Sequence, residues 1–250
     1  VVVVGDGAKV YDKLAKIAPV RIVMPDGAPL RPEDLVVKAA ALDLAGDRIV
    51  ARTDSFVVYL QGNAFGYQRG TLEKTATGWK YAEDAVLGPI IQQHTEVTFS
   101  ADFSPVAVTQ SGKTQGQETK IDVRYAGGRA EGSATTPSPT GPKTVQVDAE
   151  VAPGTIDDNM LSALLPGFRW SARAKYTVQV FQSGKGSAIP VTLAVDGEEV
   201  ADVPAGKIPS WKVTMTGGEQ AVTFWVEKAA PYRVVKMGPA GVPIEMRLAK

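Results

Sequence analysis

The side chains able to do chemistry in this chain are few. Cysteine is absent and histidine occurs once, which excludes thiol nucleophiles, sulfur metal sites and multi-histidine metal sites together. A Ser/His/Asp triad would have to use His94. It stands in IIQQHTEVTF, where period-two alternation puts it on the same side as Gln92 and Glu96, an outward polar face. The close carboxylate pairs are Asp43 with Asp47, Asp157 with Asp158, and Glu198 with Glu199. General acid/base work needs two carboxyls facing one cleft. Asp157 and Asp158 fall in the first turn of an expected helix, where acids offset the macrodipole, and Glu198 and Glu199 fall in an expected DGEE hairpin turn. A calcium loop of the D-x-[DN]-x-[DN]-G type is missing.

Two stretches imitate phosphate loops. VVVVGDGAKV reads as strand, GxG and helix, with Asp26 placed where a ribose-binding acid would sit, but Val10 takes the third glycine's place and no further βα units follow. QSGKT, Gln110 to Thr114, has Ala107 where the earlier glycine belongs and leads into a turn and a strand, not a helix. Both read as turns. No catalytic set, cofactor or metal site is expected.

Lys plus Arg and Asp plus Glu each total 27, so the formal charge is zero and no long-range field draws in nucleic acid. No apolar run approaches the ~18–20 residues of a membrane helix, and VVVV is too short for the core of an export signal. A start at Val1 instead of methionine is expected of a processed or trimmed N-terminus, with any export signal lying outside the sequence.

The elements that must position these residues are mostly strands. In residues 1–50, Val10, Leu14 and Ile17 predict a short helix with Asp6 as N-cap and Pro19 as stop, and Asp47 onward leans to strand. From Thr53 the period becomes two: SFVVYLQG, FGYQRGTLEKT, GWKYAEDAVLG, IIQQHTEVTFS, PVAVTQSGK, QETKIDVRYAGG and KTVQVDAEV, each ended by Gly, Asp or Pro. Residues 130–143, AEGSATTPSPTGPK, lack bulky apolar residues and read as a loop between two halves of the 51–250 domain. TIDDNMLSALLPG reads as a second helix, capped by Thr155, with Ile156, Met160, Leu161 and Leu164 on one face and Pro166-Gly167 as the stop. Further short strands cut by DG, PAG and GG breaks complete the chain. The expected fold is mainly β: a curved antiparallel sheet or incomplete barrel of about fourteen strands, with two short helices.

The second half carries a particular order of features. LSAL is followed by a long strand, a DGEE turn, a VPAG turn into WKVTM, then VTFWVEK, PYRVVKM and a closing IEMRL. This order resembles an uncharacterised family of exported bacterial domains, the domain of unknown function 3108, whose members look like the curved sheets of LolA/LolB-type lipoprotein-carrier half-barrels. The resemblance is strongest over Thr155 to Leu248 and reaches back to Thr53; residues 1–50 lie outside it. It implies a periplasmic or extracellular location and an apolar ligand on the concave face, and it carries no catalytic residues.

Trp79, Phe99, Leu161, Leu164, Trp170, Trp211, Phe224 and Trp225 are the candidates for an apolar pocket, or else for a filled core. The leading expectation is a non-catalytic extracytoplasmic binding or scaffold protein, for a lipid or another apolar molecule. The alternative is a self-assembling envelope subunit, in which Val1, Val2, Val3 and Val4 add as a strand to a neighbour's sheet; the same four valines could instead pair within their own sheet. A carboxylate or Ser/Lys enzyme stands third. Its mark would be a cleft lined by two carboxyls with raised pKa.

Overall fold

Alternation of inward and outward residues from Arg52 onward builds a succession of hairpins, most of them closed by short turns. The computed structural model describes residues 1–3, 7–23, 29–35 and 42–249. The chain forms two units, Val1–Lys38 and Ala39–Lys250.

In the first unit α1 (Gly7–Ala15) is followed by β1 (Ile22–Val23), which pairs antiparallel with β2 (Pro29–Leu30), and by a 3-10 turn at Pro32–Leu35. The helix ends before Ile17, which is exposed instead of lying on the packed face. Val1 to Val3 are exposed and belong to no strand. Val4, Asp6 and Asp26 lie outside the described residues, and with them the fourth valine of the assembly segment, the predicted N-cap and the ribose-type acid.

The second unit is one long meander. Its strands are β3 (Arg52–Leu60), β4 (Asn63–Lys74), β5 (Gly78–Leu87), β6 (Ile91–Ser100), β7 (Pro105–Thr114), β8 (Gln117–Ala126), β9 (Arg129–Thr136), β10 (Lys143–Glu150), β11 (Ile156–Asp157), β12 (Lys175–Gln182), β13 (Ser187–Val203), β14 (Gly206–Thr216), β15 (Val222–Glu227), β16 (Val234–Pro239) and β17 (Ile244–Leu248). They make a 15-stranded sheet in the order β10-β9-β8-β7-β6-β5-β4-β3-β17-β16-β15-β14-β13-β12-β11. All neighbours are antiparallel except β11 and β12. The edges, β10 and β11, are consecutive in the chain and only residues 151–155 lie between them, a link that spans ~20 Å at most. Two opposite edges can be that close only if the sheet curls round on itself, and it does so without closing.

Side chains fill the curl. Tyr125 on β8 meets Phe181 on β12 edge-on at 5.6 Å. Across the middle sits a short plug: a 3-10 turn at Asp158–Met160, α2 (Leu161–Leu164) and a 3-10 turn at Leu165–Gly167. Met160, Ala163, Leu164 and Leu165 are fully buried. The carbonyls at the plug's far end accept from Arg52 Nη2 (to Ala163), Trp170 Nε1 (to Leu165) and the Ala45 amide (to Gly167). A second, smaller core gathers Phe56, Ala201, Val203, Trp225, Val235 and Leu248.

Four local expectations are corrected. Residues 130–143 are not all loop, because Arg129–Thr136 is strand β9. Its lack of bulk reflects crowding: Ala130 and Ala134 are fully buried, and Gly132 faces the Asp122 carbonyl where a Cβ would stand 2.0 Å away. Gln110–Thr114 is not a turn but the end of β7, and the turn falls at Gln115-Gly116, both with positive φ. DGEE is a bulge inside β13, not a hairpin: the register shifts between Val195 and Gly197, and the strand runs on because Ala201 and Val203 bury in the smaller core. The N-cap of the plug is Asp157 in place of Thr155, since Ile156 and Asp157 are held as strand β11 beside β12.

Candidate functional site

The register of β4 to β8 stacks inward side chains in rows. Leu72, Tyr81, Val97, Val108 and Val123 form one row and are all buried in the core. The next is Gly70, Glu83, Thr95, Gln110 and Ile121, and the one after is Gln68, Ala85, Gln93, Gly112 and Thr119. One step along the strands thus turns the interior from apolar to polar. Buried polar groups need partners, and these find one another: Gln110 Nε2 donates to Thr95 Oγ1 (3.0 Å), and Gln93 Nε2 to Thr114 Oγ1 (2.8 Å).

Where this polar belt meets the plug and the returning strands, a cleft of about 170 Å³ opens, lined by Gln68, Tyr81, Glu83, Thr95, Asp158, Asn159, Ser162, Met237 and Met246. Glu83 is its best-anchored acid. Gln68 Nε2 (2.5 Å) and Tyr81 Oη (2.7 Å) both donate to Glu83 Oε2. Gly70 makes room for this, since a Cβ there would stand 2.4 Å from Tyr81 Oη. Burial nonetheless pushes the Glu83 carboxyl above its ordinary pKa, outweighing those two hydrogen bonds. Burial, and then the charge of Glu83, push the Tyr81 hydroxyl up as well.

On the opposite wall, fully buried Asp157 accepts from Tyr125 Oη (2.5 Å) and from the Asn159 amide and Nδ2 (both 2.8 Å). Asn159 Nδ2 also donates to Asp158 Oδ1 (2.9 Å). The Asp158 carboxyl is driven well above its usual range by the protein packed around it and by Asp157 beside it. Asp158 keeps contact with solvent, so water relieves part of that push.

Apart from Asp157 and Asp158, the residues singled out from sequence lie elsewhere. Trp79, Phe99, Leu161, Leu164, Trp170 and Phe224 are buried in the large core, Trp225 in the small one, and Trp211 is half-buried with Lys228 Nζ 4.4 Å over its ring. They pack as core, and none lines the cleft. His94 is on the outer face as expected, 2.7 Å from Asp84 Oδ1, a contact that raises its pKa. Glu198 and Glu199 form ion pairs with Lys228 and Lys212. Of the carboxylate pairs only Asp157 and Asp158 reach the site, and Asp158 alone lines it. Among the described residues no group of three or more His, Cys, Asp or Glu could hold a metal ion, and no helix is long and apolar enough to cross a membrane.

An unclosed antiparallel barrel with a polar cleft in its interior is the class that fold and site define. The family described as "Protein of unknown function (DUF3108)" matches residues 64–248, and the chain belongs to that family. No curated protein sequence matches it. A solved structure described as a β-barrel-like protein of domain of unknown function DUF1849 from Brucella abortus superposes with a TM-score of 0.48 at 13% identity, covering 80% of this chain and 95% of that one.

Proposed function

We propose that the protein is a non-catalytic, extracytoplasmic binding protein that receives a small polar group in the cleft between β4–β6, the plug and β16–β17. The observation that carries this reading is a cleft walled by buried polar side chains in an interior whose aromatics are otherwise engaged in core packing. A lipid-sized apolar ligand fits less well. At ~30 Å³ for each water-sized group, the 170 Å³ cleft takes roughly six such groups, below the ~300–1,000 Å³ of pockets that enclose a drug-sized ligand. A chain end or head group fits, with the rest of the molecule outside. LolA/LolB-type carriers enter here as a resemblance in architecture, holding ligand on the concave side, and the location outside the cytoplasm is proposed on the resemblance to exported domains.

Methyl-labelled methionine NMR tests the reading, because Met237 and Met246 line the cleft. Small alcohols, acids and amines titrated into the full chain should include some that move these two methyl signals saturably. If none moves either signal, the cleft is not a binding seat.

A second reading has its own observation: Glu83 and Asp158, both with raised pKa, line one cleft, as general acid/base chemistry requires. Turnover of any hydrolysable substrate that Glu83→Gln abolishes without loss of binding would favour it over the first.

A further inference from the structure

We infer that the free edge of β10 takes up an extended strand of another protein, one that carries Lys or Arg at alternate positions facing Asp148 and Glu150. This docking edge is separate from the cleft and does not depend on it.

Backbone pairing carries it. β10 is paired with β9 alone, in one uninterrupted register. The Val151 amide donates to the Gly128 carbonyl. Antiparallel pairing alternates from there, so the amides and carbonyls of Val145, Val147 and Ala149 point to β9, while those of Thr144, Gln146, Asp148 and Glu150 point away from it. These four residues are exposed, and among the described residues no backbone group bonds to them from the open side. The Gly186 turn on the opposite rim lies beside Val147, where a Cβ would stand 3.4 Å from its Cγ2, and it makes no backbone hydrogen bond with β10. Proteins usually blunt such an edge with lysine, proline, a bulge or brevity. The other edge follows that rule, since β11 has two residues and leads into the buried plug. β10 has eight residues, no proline and no bulge, and its one lysine stands at the first position. Such an edge suits strand addition.

Charge names the guest. On its outer face the edge presents Thr144, Gln146, Asp148 and Glu150 in that order, and Glu131, Asp148 and Glu150 gather round Arg129, so three acids share one cation. The adjoining trough of about 600 Å³ continues the surplus, with Asp122, Glu131 and Asp148 against Arg124. A second copy of β10 would bring the same acids and deepen it. An antiparallel strand with two alternate cations instead sets one opposite Asp148 and one opposite Glu150, the favourable cross-strand arrangement. On the other face Val145 and Ala149 are half-buried, which calls for β-branched apolar residues between the cations.

The test uses the full chain and two dye-labelled, end-blocked peptides, KVKVTVT and EVEVTVT, read by fluorescence anisotropy at low salt. The lysine peptide should bind saturably and about ten-fold more tightly than the glutamate peptide, the step expected from two cross-strand charge pairs and their reversal, and added salt should narrow the gap. N-methylation of the second lysine, whose amide would face β10, should abolish binding, and N-methylation of the valine after it, whose amide would face solvent, should not. Asp148→Lys combined with Glu150→Lys, both at exposed positions, should reverse the preference. Equal affinity for the two peptides, equal loss from the two N-methyl groups, or no binding of the lysine peptide overturns the inference. A dimer in sedimentation velocity that Gln146→Pro dissolves would give the edge to a second copy and overturn it too.

Discussion

Replacing Tyr125 by Phe isolates one hydrogen bond on which the seating of the plug depends. Asp157 has no solvent exposure, and it both caps the plug and joins it to β8 through Tyr125 Oη at 2.5 Å. The Phe ring keeps the edge-on contact with Phe181, so packing is conserved and only the donor is lost. The Asn159 amide and Nδ2 still serve the carboxyl, which limits the penalty to one charge-assisted bond, ~2 kcal/mol. For a domain of this size that lowers Tm by about 4–8 °C. Urea unfolding should show the midpoint falling with an unchanged slope. Tyr125→Ala, which also removes the ring, its burial and the aromatic contact, should cost ~2–3 kcal/mol more. A Tyr125→Phe midpoint within ~0.5 kcal/mol of wild type, or one as low as that of Tyr125→Ala, refutes the reasoning.

Gly70→Ala should displace Tyr81, since the new methyl would lie 2.4 Å from its hydroxyl; a loss of ~1–3 kcal/mol in urea unfolding and an altered tyrosine ultraviolet spectrum check it. Burial raises the Glu83 pKa, so the folded protein holds a proton that the unfolded chain gives up. That stabilising share is complete below the ordinary glutamate value of 4.5 and is lost as pH rises through the folded value. Glu83→Gln, which mimics the protonated acid, should therefore match wild type in acid and exceed it in stability at neutral pH, read from urea midpoints at both. Leu164→Ala, at a position with no exposure in the plug, should cost ~2–5 kcal/mol in the same assay.

Where inward residues are bulky and apolar, as in β5, β6 and β15, period-two alternation and turn residues were enough to read the strands from sequence. It failed at β9, whose buried positions are Ala130 and Ala134, because crowding there demands small side chains that look like linker. It failed again at DGEE, where a turn-like Asp-Gly is a bulge in a strand that runs on to bury Ala201 and Val203. The cleft is not legible in the sequence for a different reason. Spacing along the chain pairs only neighbouring carboxylates, whereas Glu83 and Asp158 share the cleft only because the sheet curls and the plug crosses it. One local signal was present. If His94 faces outward, then Gln93 and Thr95 face inward, and with Gln68, Glu83 and Gln110 they spell a polar interior that a filled apolar core does not need.

The pairing of β3 with β17 places the seam of the sheet at its middle instead of at its rim. Phe56 waits for Leu248, the most distant register contact in the meander, so as the chain emerges from the ribosome the β3 side of the early hairpins stays bare until almost the last strand has been made. Synthesis that halts before Ile244 leaves that flank without its partner and open to the edges of other nascent chains. A chaperone that binds extended apolar segments would find its natural substrate there.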